Sequence, residues 1–185
     1  MKKQVLFIQG GGNGGYEADA KLVASLQNAL GKDYDISYPR MQTDDTAPDF
    51  GWLKQIGKEI GELRDDVILA AHSLGASLLL KYLSENKVSK RVAGIFLVSA
   101  PFWSGKEDWV QGLKLQEDFA ESLPKITRIF FYHCRDDEEI PFDHLASYRH
   151  KLPVATFREI ESGGHQLGGN INLVAKDIKD LVAWL

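Results

Sequence analysis

Short apolar runs recur along this chain, and between them apolar residues return every three or four positions. The runs cover residues 4–8, 34–38, 67–71, 93–98, 126–132 and 155–160. Their length predicts six strands. Between them, residues 18–30 place Leu22, Leu26, Ala29 and Leu30 on one helical face. Residues 50–63 do the same with Trp52, Leu53, Ile56, Ile60 and Leu63, and residues 173–185 with Ile178, Leu181, Val182 and Leu185. Residues 74–83 are apolar almost throughout, which predicts a buried helix. Several strands are continuously hydrophobic, the pattern of a parallel sheet covered on both faces. Alternation from end to end predicts one α/β domain over residues 1–185, a three-layer sandwich. It would hold a mainly parallel six-stranded sheet joined by right-handed crossovers. Residues 101–124 break the rhythm. They hold Trp103, Trp109 and Phe119 among polar residues and form a candidate small cap.

Composition narrows the class. With 185 residues, 44% hydrophobic and 26% charged, the chain has the profile of a soluble globular protein. A net charge of −4 does not favour nucleic acid, which would call for a basic face. Cys134 is the single cysteine, so no intramolecular disulfide can form, and a small core side chain is its expected role. The apolar run after Met1-Lys2-Lys3 ends at Ile8, too short for a secretory core or a membrane span. The expectation is a soluble, cytoplasmic protein with no membrane partner, as a monomer or small homo-oligomer.

Chemistry concentrates at Ala70-Ala71-His72-Ser73-Leu74-Gly75, between a buried strand and a buried helix. This is the G-x-S-x-G nucleophile-elbow pattern with Ala71 in place of the first glycine. The turn must project the serine oxygen above the sheet. The residues two before and two after it must therefore be small, and Ala71 and Gly75 are. Ser73 also opens a helix, where free amides and the dipole favour negative charge. Serine is a favoured helix cap as well, so the pattern alone leaves a capping role open.

A serine nucleophile needs a base and the base needs an orienting carboxylate, in the chain order Ser, acid, His for this architecture. Strand five runs into Arg135-Asp136-Asp137-Glu138-Glu139-Ile140-Pro141. Strand six runs into Ser162-Gly163-Gly164-His165. Both loops lie where open α/β sheets place their sites, beyond the carboxyl ends of strands. Asp136 and Asp137 compete for the acid, and His165 is the candidate base. His72 is expected to pack beside the elbow. His133, His144 and His150 show no metal spacing, so no metal is expected, and serine-based acyl transfer calls for no cofactor.

The glycines after strand one admit two readings. Gly10, Gly12 and Gly15 match a dinucleotide-binding spacing. That reading wants an acidic residue at the end of strand two, where the chain has Ser37-Tyr38-Pro39-Arg40; Arg40 would suit a 2′-phosphate, leaving an NADP-binding oxidoreductase as the lesser alternative. The other reading brings a backbone N–H of this loop beside the nucleophile, where Gly11, or failing it Gly12, joins Leu74 in an oxyanion hole.

Taken together, residues 9–12, 71–75, 137–141 and 164–165 make the chain resemble an α/β-hydrolase over nearly its whole length. Its small size most resembles the lidless serine hydrolases related to retinoblastoma-binding protein 9. The resemblance implies a Ser73-Asp137-His165 triad, and its D-x-x-hydrophobic-P motif is what selects Asp137. Gln9 and Ala71 depart from the common His and Gly. The implied activity is hydrolysis of a small ester-like substrate, carboxylic ester or thioester, through an acyl-enzyme. Gly12, Trp103 and Trp109 are candidate substrate contacts. A hydrolase-fold binding protein without turnover is the rival reading.

Overall fold

The computed structural model describes residues 2–12, 14–103, 110–124 and 128–183. Six strands form one parallel sheet: β1 (Lys3–Ile8), β2 (Tyr34–Ser37), β3 (Val67–His72), β4 (Val92–Val98), β5 (Ile129–Cys134) and β6 (Thr156–Ile160), in the order β2-β1-β3-β4-β5-β6. Their side chains alternate between two cores although the sequence is apolar on both phases. Val5, Phe7, Ile68, Ala70, Phe96 and Tyr132 point into one core, with Leu22 and Leu26 of α1 (Gly15–Leu30) and Val174 and Ile178 of α6 (Asn172–Val182). Leu6, Ile8, Leu69, Ala71, Leu97 and Phe131 point into the other. That core is closed by α2 (Trp52–Glu62), α3 (Ser73–Glu85), α4 (Phe119–Ser122) and α5 (Asp143–Lys151). Sandwiching between two helical layers is what permits unbroken apolar strands.

Each layer is anchored by apolar residues at helical spacing. On α2, Trp52, Ile56 and Ile60 are buried, and cutting Trp52 back to alanine would cost about 3–5 kcal/mol. The expected helix over 50–63 starts two residues late because Phe50 and Gly51 take left-handed backbones, and Asp49 accepts hydrogen bonds from the amides of Gly51 and Leu53. Strand five continues two residues past its expected end, since His133 and Cys134 pair with Glu159 and Ile160 of β6. Helix α5 was not expected from the pattern. Residues 104–109 of the expected cap lie outside the described residues; what is described of the segment includes only the short helix α4.

Chain direction across the sheet reverses at β1. From β1 the chain steps outward to β2, then returns past β1 to β3 and continues to β6. Such a switch point leaves a crevice at the carboxyl ends of the two central strands, here the ends of β1 and β3. Among the described residues, no helix is long and apolar enough to cross a membrane.

Candidate active site

Strand β3 passes into α3 with no intervening residue, and Ser73 sits at the junction with φ 50°. A left-handed backbone at a residue with a side chain costs about 1–3 kcal/mol and must be imposed by its surroundings. Close packing imposes it here. A Cβ on Gly75 would lie 2.1 Å from the carbonyl oxygen of Gln9, so the first turn of α3 rests directly on the end of β1. Ala71 is fully buried between its strand partners Ile8 and Leu97.

The glycine loop lies against the same turn. A Cβ on Gly11 would stand 2.6 Å from Leu74 Cδ2 and 3.1 Å from Leu74 Cβ, so only a glycine backbone comes this close. Gly12 follows with φ 82°. Leu74 is the second residue of α3, and its N–H belongs to the first turn, which has no intrahelical acceptor. Gln9 is buried, and its Oε1 accepts from the Met41 amide, tying the loop's entry to the segment after β2. Arg40 pairs with Glu17 and lies over the Tyr16 ring, 4.3 Å from its centroid.

The two later loops meet at one hydrogen bond. His165 Nδ1 lies 3.0 Å from Asp137 Oδ1 and 3.1 Å from Oδ2. The Asp137 carboxylate is fully enclosed and also accepts from the amides of Glu139 and Ile140. His133 Nε2 lies 3.3 Å from Asp137 Oδ2 and donates to the Ile140 carbonyl at 2.9 Å. Burial works to raise the Asp137 carboxyl, but the hydrogen bonds from His133, His165 and Ile140 outweigh it and hold the group far below the usual carboxylate range. For His165, burial disfavours the charged ring, yet the hydrogen bond and charge of Asp137, with Glu139 and Glu138, outweigh it and raise its pKa. Asp136 does a different job: it accepts from the amides of Gly163 and Gly164 and shapes the loop that presents His165.

Ser73 and His165 line one cleft of about 250 Å³ with Gly10, Gly11, Asp19 and Glu139. No hydrogen bond joins Ser73 Oγ to His165, and His165 Nε2 lies 3.6 Å from Glu139 Oε2. A second, more apolar cleft of about 310 Å³ also reaches Ser73 and is lined by Phe50, Leu74, Pro101, Trp103, Leu113 and Ile140. Trp103 is held there by a hydrogen bond from its Nε1 to Ser77 Oγ, 3.2 Å. Gly11 and Gly12 border this cleft too. Trp109 lies outside the described residues.

The structure thus brings together Ser73, Gly11, Leu74, Asp137 and His165, with Gly12 and Trp103 at the rim. Sequence reasoning missed four contributors: Asp19, His133, Glu138, whose Oε2 accepts from the His165 amide, and Glu139. Two signals were present. Asp19 stands on the same helical stripe as Leu22, Val23 and Leu26, and His133 continues the apolar strand β5; a charged or polar residue at a core position needs a partner. Cys134 is buried at the end of β5, and burial pushes its thiol up to about 11. Among the described residues, no three His, Cys, Asp or Glu side chains converge as metal ligands.

A parallel sheet with a strained serine between its β3 strand and α3 helix, facing a histidine loop, defines an α/β-hydrolase. The serine hydrolase family model matches residues 23–168, and the chain belongs to that family. It is similar to YdeN of Bacillus subtilis (strain 168), a provisionally named hydrolase, at 27% identity over 121 residues. That match covers 63% of this chain and 62% of YdeN, so it spans less than two thirds of this curated relative. Its fold is shared with a protein from Xanthomonas campestris described as a member of the α/β hydrolase superfamily (TM-score 0.67, 20% identity, 100% of both chains). It is also shared with Est1E from Butyrivibrio proteoclasticus (TM-score 0.72, 14% identity, 98% of this chain and 89% of that one).

Proposed function

We propose that this hydrolase cleaves small ester-like substrates through an acyl-enzyme on Ser73. The observation that carries the reading is the His165–Asp137 hydrogen bond, set in a cleft that Ser73 shares. His165 Nε2 takes the proton from Ser73 Oγ as the oxygen attacks the carbonyl carbon. Asp137 holds the proton on Nδ1 and stabilises the charged ring. The N–H groups of Gly11 and Leu74 receive the negative charge on the carbonyl oxygen. His165 then gives its proton to the departing alcohol or thiol. Water repeats the cycle on the acyl-enzyme, releasing a carboxylic acid and regenerating Ser73. The missing Ser73–His165 hydrogen bond is compatible with this, since catalytic hydrogen bonds often tighten only with substrate bound.

The two clefts suggest how a substrate lies. The leaving group must reach His165, so it occupies the polar cleft. The acyl group then lies against Phe50, Leu74, Trp103 and Leu113. Short to medium apolar acyl chains suit that cleft.

Intact mass after exposure to a fluorophosphonate tests the reading. One adduct on the wild type, absent in Ser73→Ala, is the expected result. A folded wild type that takes no adduct would leave the binding-protein reading in its place.

A further inference from the structure

Beneath the Ser73 turn lies a second carboxylate–imidazole pair that the proposed chemistry does not use. Asp19, on α1, and His72, the last residue of β3, are each 1% exposed. His72 Nε2 lies 3.0 Å from the main-chain oxygen of His165. A carbonyl only accepts, so this nitrogen carries hydrogen. His72 Nδ1 lies 2.9 Å and 3.0 Å from the two Asp19 oxygens. Asp19 Oδ2 accepts from the Gly10 amide at 2.6 Å, and Oδ1 from Gln166 Nε2 at 2.9 Å. Ser99 Oγ donates to the same His165 carbonyl at 3.1 Å. Burial works to raise the Asp19 carboxyl, and the His72 contact outweighs it, helped by Gln166 and Gly10, so the group stays below its ordinary value.

The pair joins two loops that nothing in the sheet holds together. The glycine loop leaves β1 and the histidine loop leaves β6, with β3, β4 and β5 between them. No strand ladder sets their spacing. Catalysis nevertheless needs the Gly11 amide and His165 Nε2 to face Ser73 at once, and a misplacement of about 1 Å can cost about 100-fold in rate.

We propose that Asp19 and His72 are positioning residues that set the distance between the oxyanion loop and the catalytic histidine. Asp19 fixes the residue before Gly11, and His72 fixes the main chain of His165 itself. This goes beyond the ester-hydrolase reading and borrows from it only the roles of Gly11 and His165.

The test uses Asp19→Ala, Asp19→Asn and Gln166→Ala, with Leu26→Ala as a stability control from the same helix. Each is assayed on p-nitrophenyl butyrate and against a trifluoromethyl ketone, which forms an oxyanion on the serine. Asp19→Ala should lower kcat about 10- to 100-fold with KM little changed, and weaken the ketone in parallel. Asp19→Asn should recover most of that loss, because its amide can accept from Gly10 and donate to His72. Leu26→Ala should lose thermal stability yet keep kcat. Wild-type kcat and ketone affinity in Asp19→Ala would overturn the proposal, as would an equal kcat loss in Leu26→Ala. Amide hydrogen exchange gives a readout free of turnover. Asp19→Ala, or Gln166→Ala if the former does not fold, should speed exchange both at Gly10–Gly12 and around His165. Should the wild type hydrolyse no ester, coupled exchange would still sustain the positioning role while the ester reading fell. Exchange unchanged in either loop would sink it.

Discussion

His165 turns one nitrogen to an enclosed Asp137 carboxylate at 3.0 Å and the other toward the cleft, 3.6 Å from Glu139. The first contact fixes the ring's tautomer. The second places an exposed negative charge where the ring would gain its proton.

The tautomer argument predicts that Asp137→Asn folds but loses kcat on the order of 10⁴-fold, the scale for loss of the orienting carboxylate in a serine triad. In wild type, kcat/KM should rise with pH as His165 gives up its proton. Asp137, Glu139 and Glu138 outweigh burial and raise that group. The midpoint should therefore exceed the ordinary imidazole value of about 6.5. Its stability contribution runs the other way: full below about pH 6.5, and lost as pH rises through the raised folded value. A pH–rate profile and urea titrations at several pH values check both.

Glu139→Gln removes one of the charges raising His165, so the acid limb of kcat/KM should move to lower pH. The Glu139 side chain is 65% exposed, so the displacement should shrink in about 0.5 M salt. An unmoved limb would rule out Glu139 as a tuning charge.

Acyl preference should follow the apolar cleft. Leu113→Phe narrows the space beside Ser73 and should cut kcat/KM for octanoyl esters roughly tenfold more than for acetyl esters. Trp103→Ala should shift the optimum toward longer chains, through lost packing and the lost bond to Ser77. A p-nitrophenyl ester series measures both.

Two glycines should respond oppositely to alanine. Gly75→Ala drives a Cβ into the Gln9 carbonyl and should cost about 3 kcal/mol or more, with loss of phosphonate labelling. Gly61 lies in α2 with open space where its Cβ would be, so Gly61→Ala should add about 0.5–1 kcal/mol. Urea midpoints decide.

The strands could be read from sequence because both faces are buried, and apolar runs such as Val67–Ala71 stand out. The serine and histidine loops were legible because chemistry restricts them to strand ends. Helix α5 was not, since only Leu145 and Tyr148 are buried and the rest of Asp143–Lys151 is mostly polar and solvent-facing. Asp137 could not be separated from Asp136 by spacing, because adjacent loop residues have equal claims until the backbone fixes their directions. The Asp19–His72 pair was hidden for another reason: it joins residues 53 positions apart, and no local pattern records that they meet.

The candidate site takes one loop from each of four strands, β1, β3, β5 and β6, and so spans residues 10 to 165 of the chain. No fragment ending before β6 can hold both Ser73 and its proposed base, His165. Acquisition of phosphonate reactivity during refolding should therefore report completion of nearly the whole sheet, and partly assembled chains should stay silent however much helix they have formed.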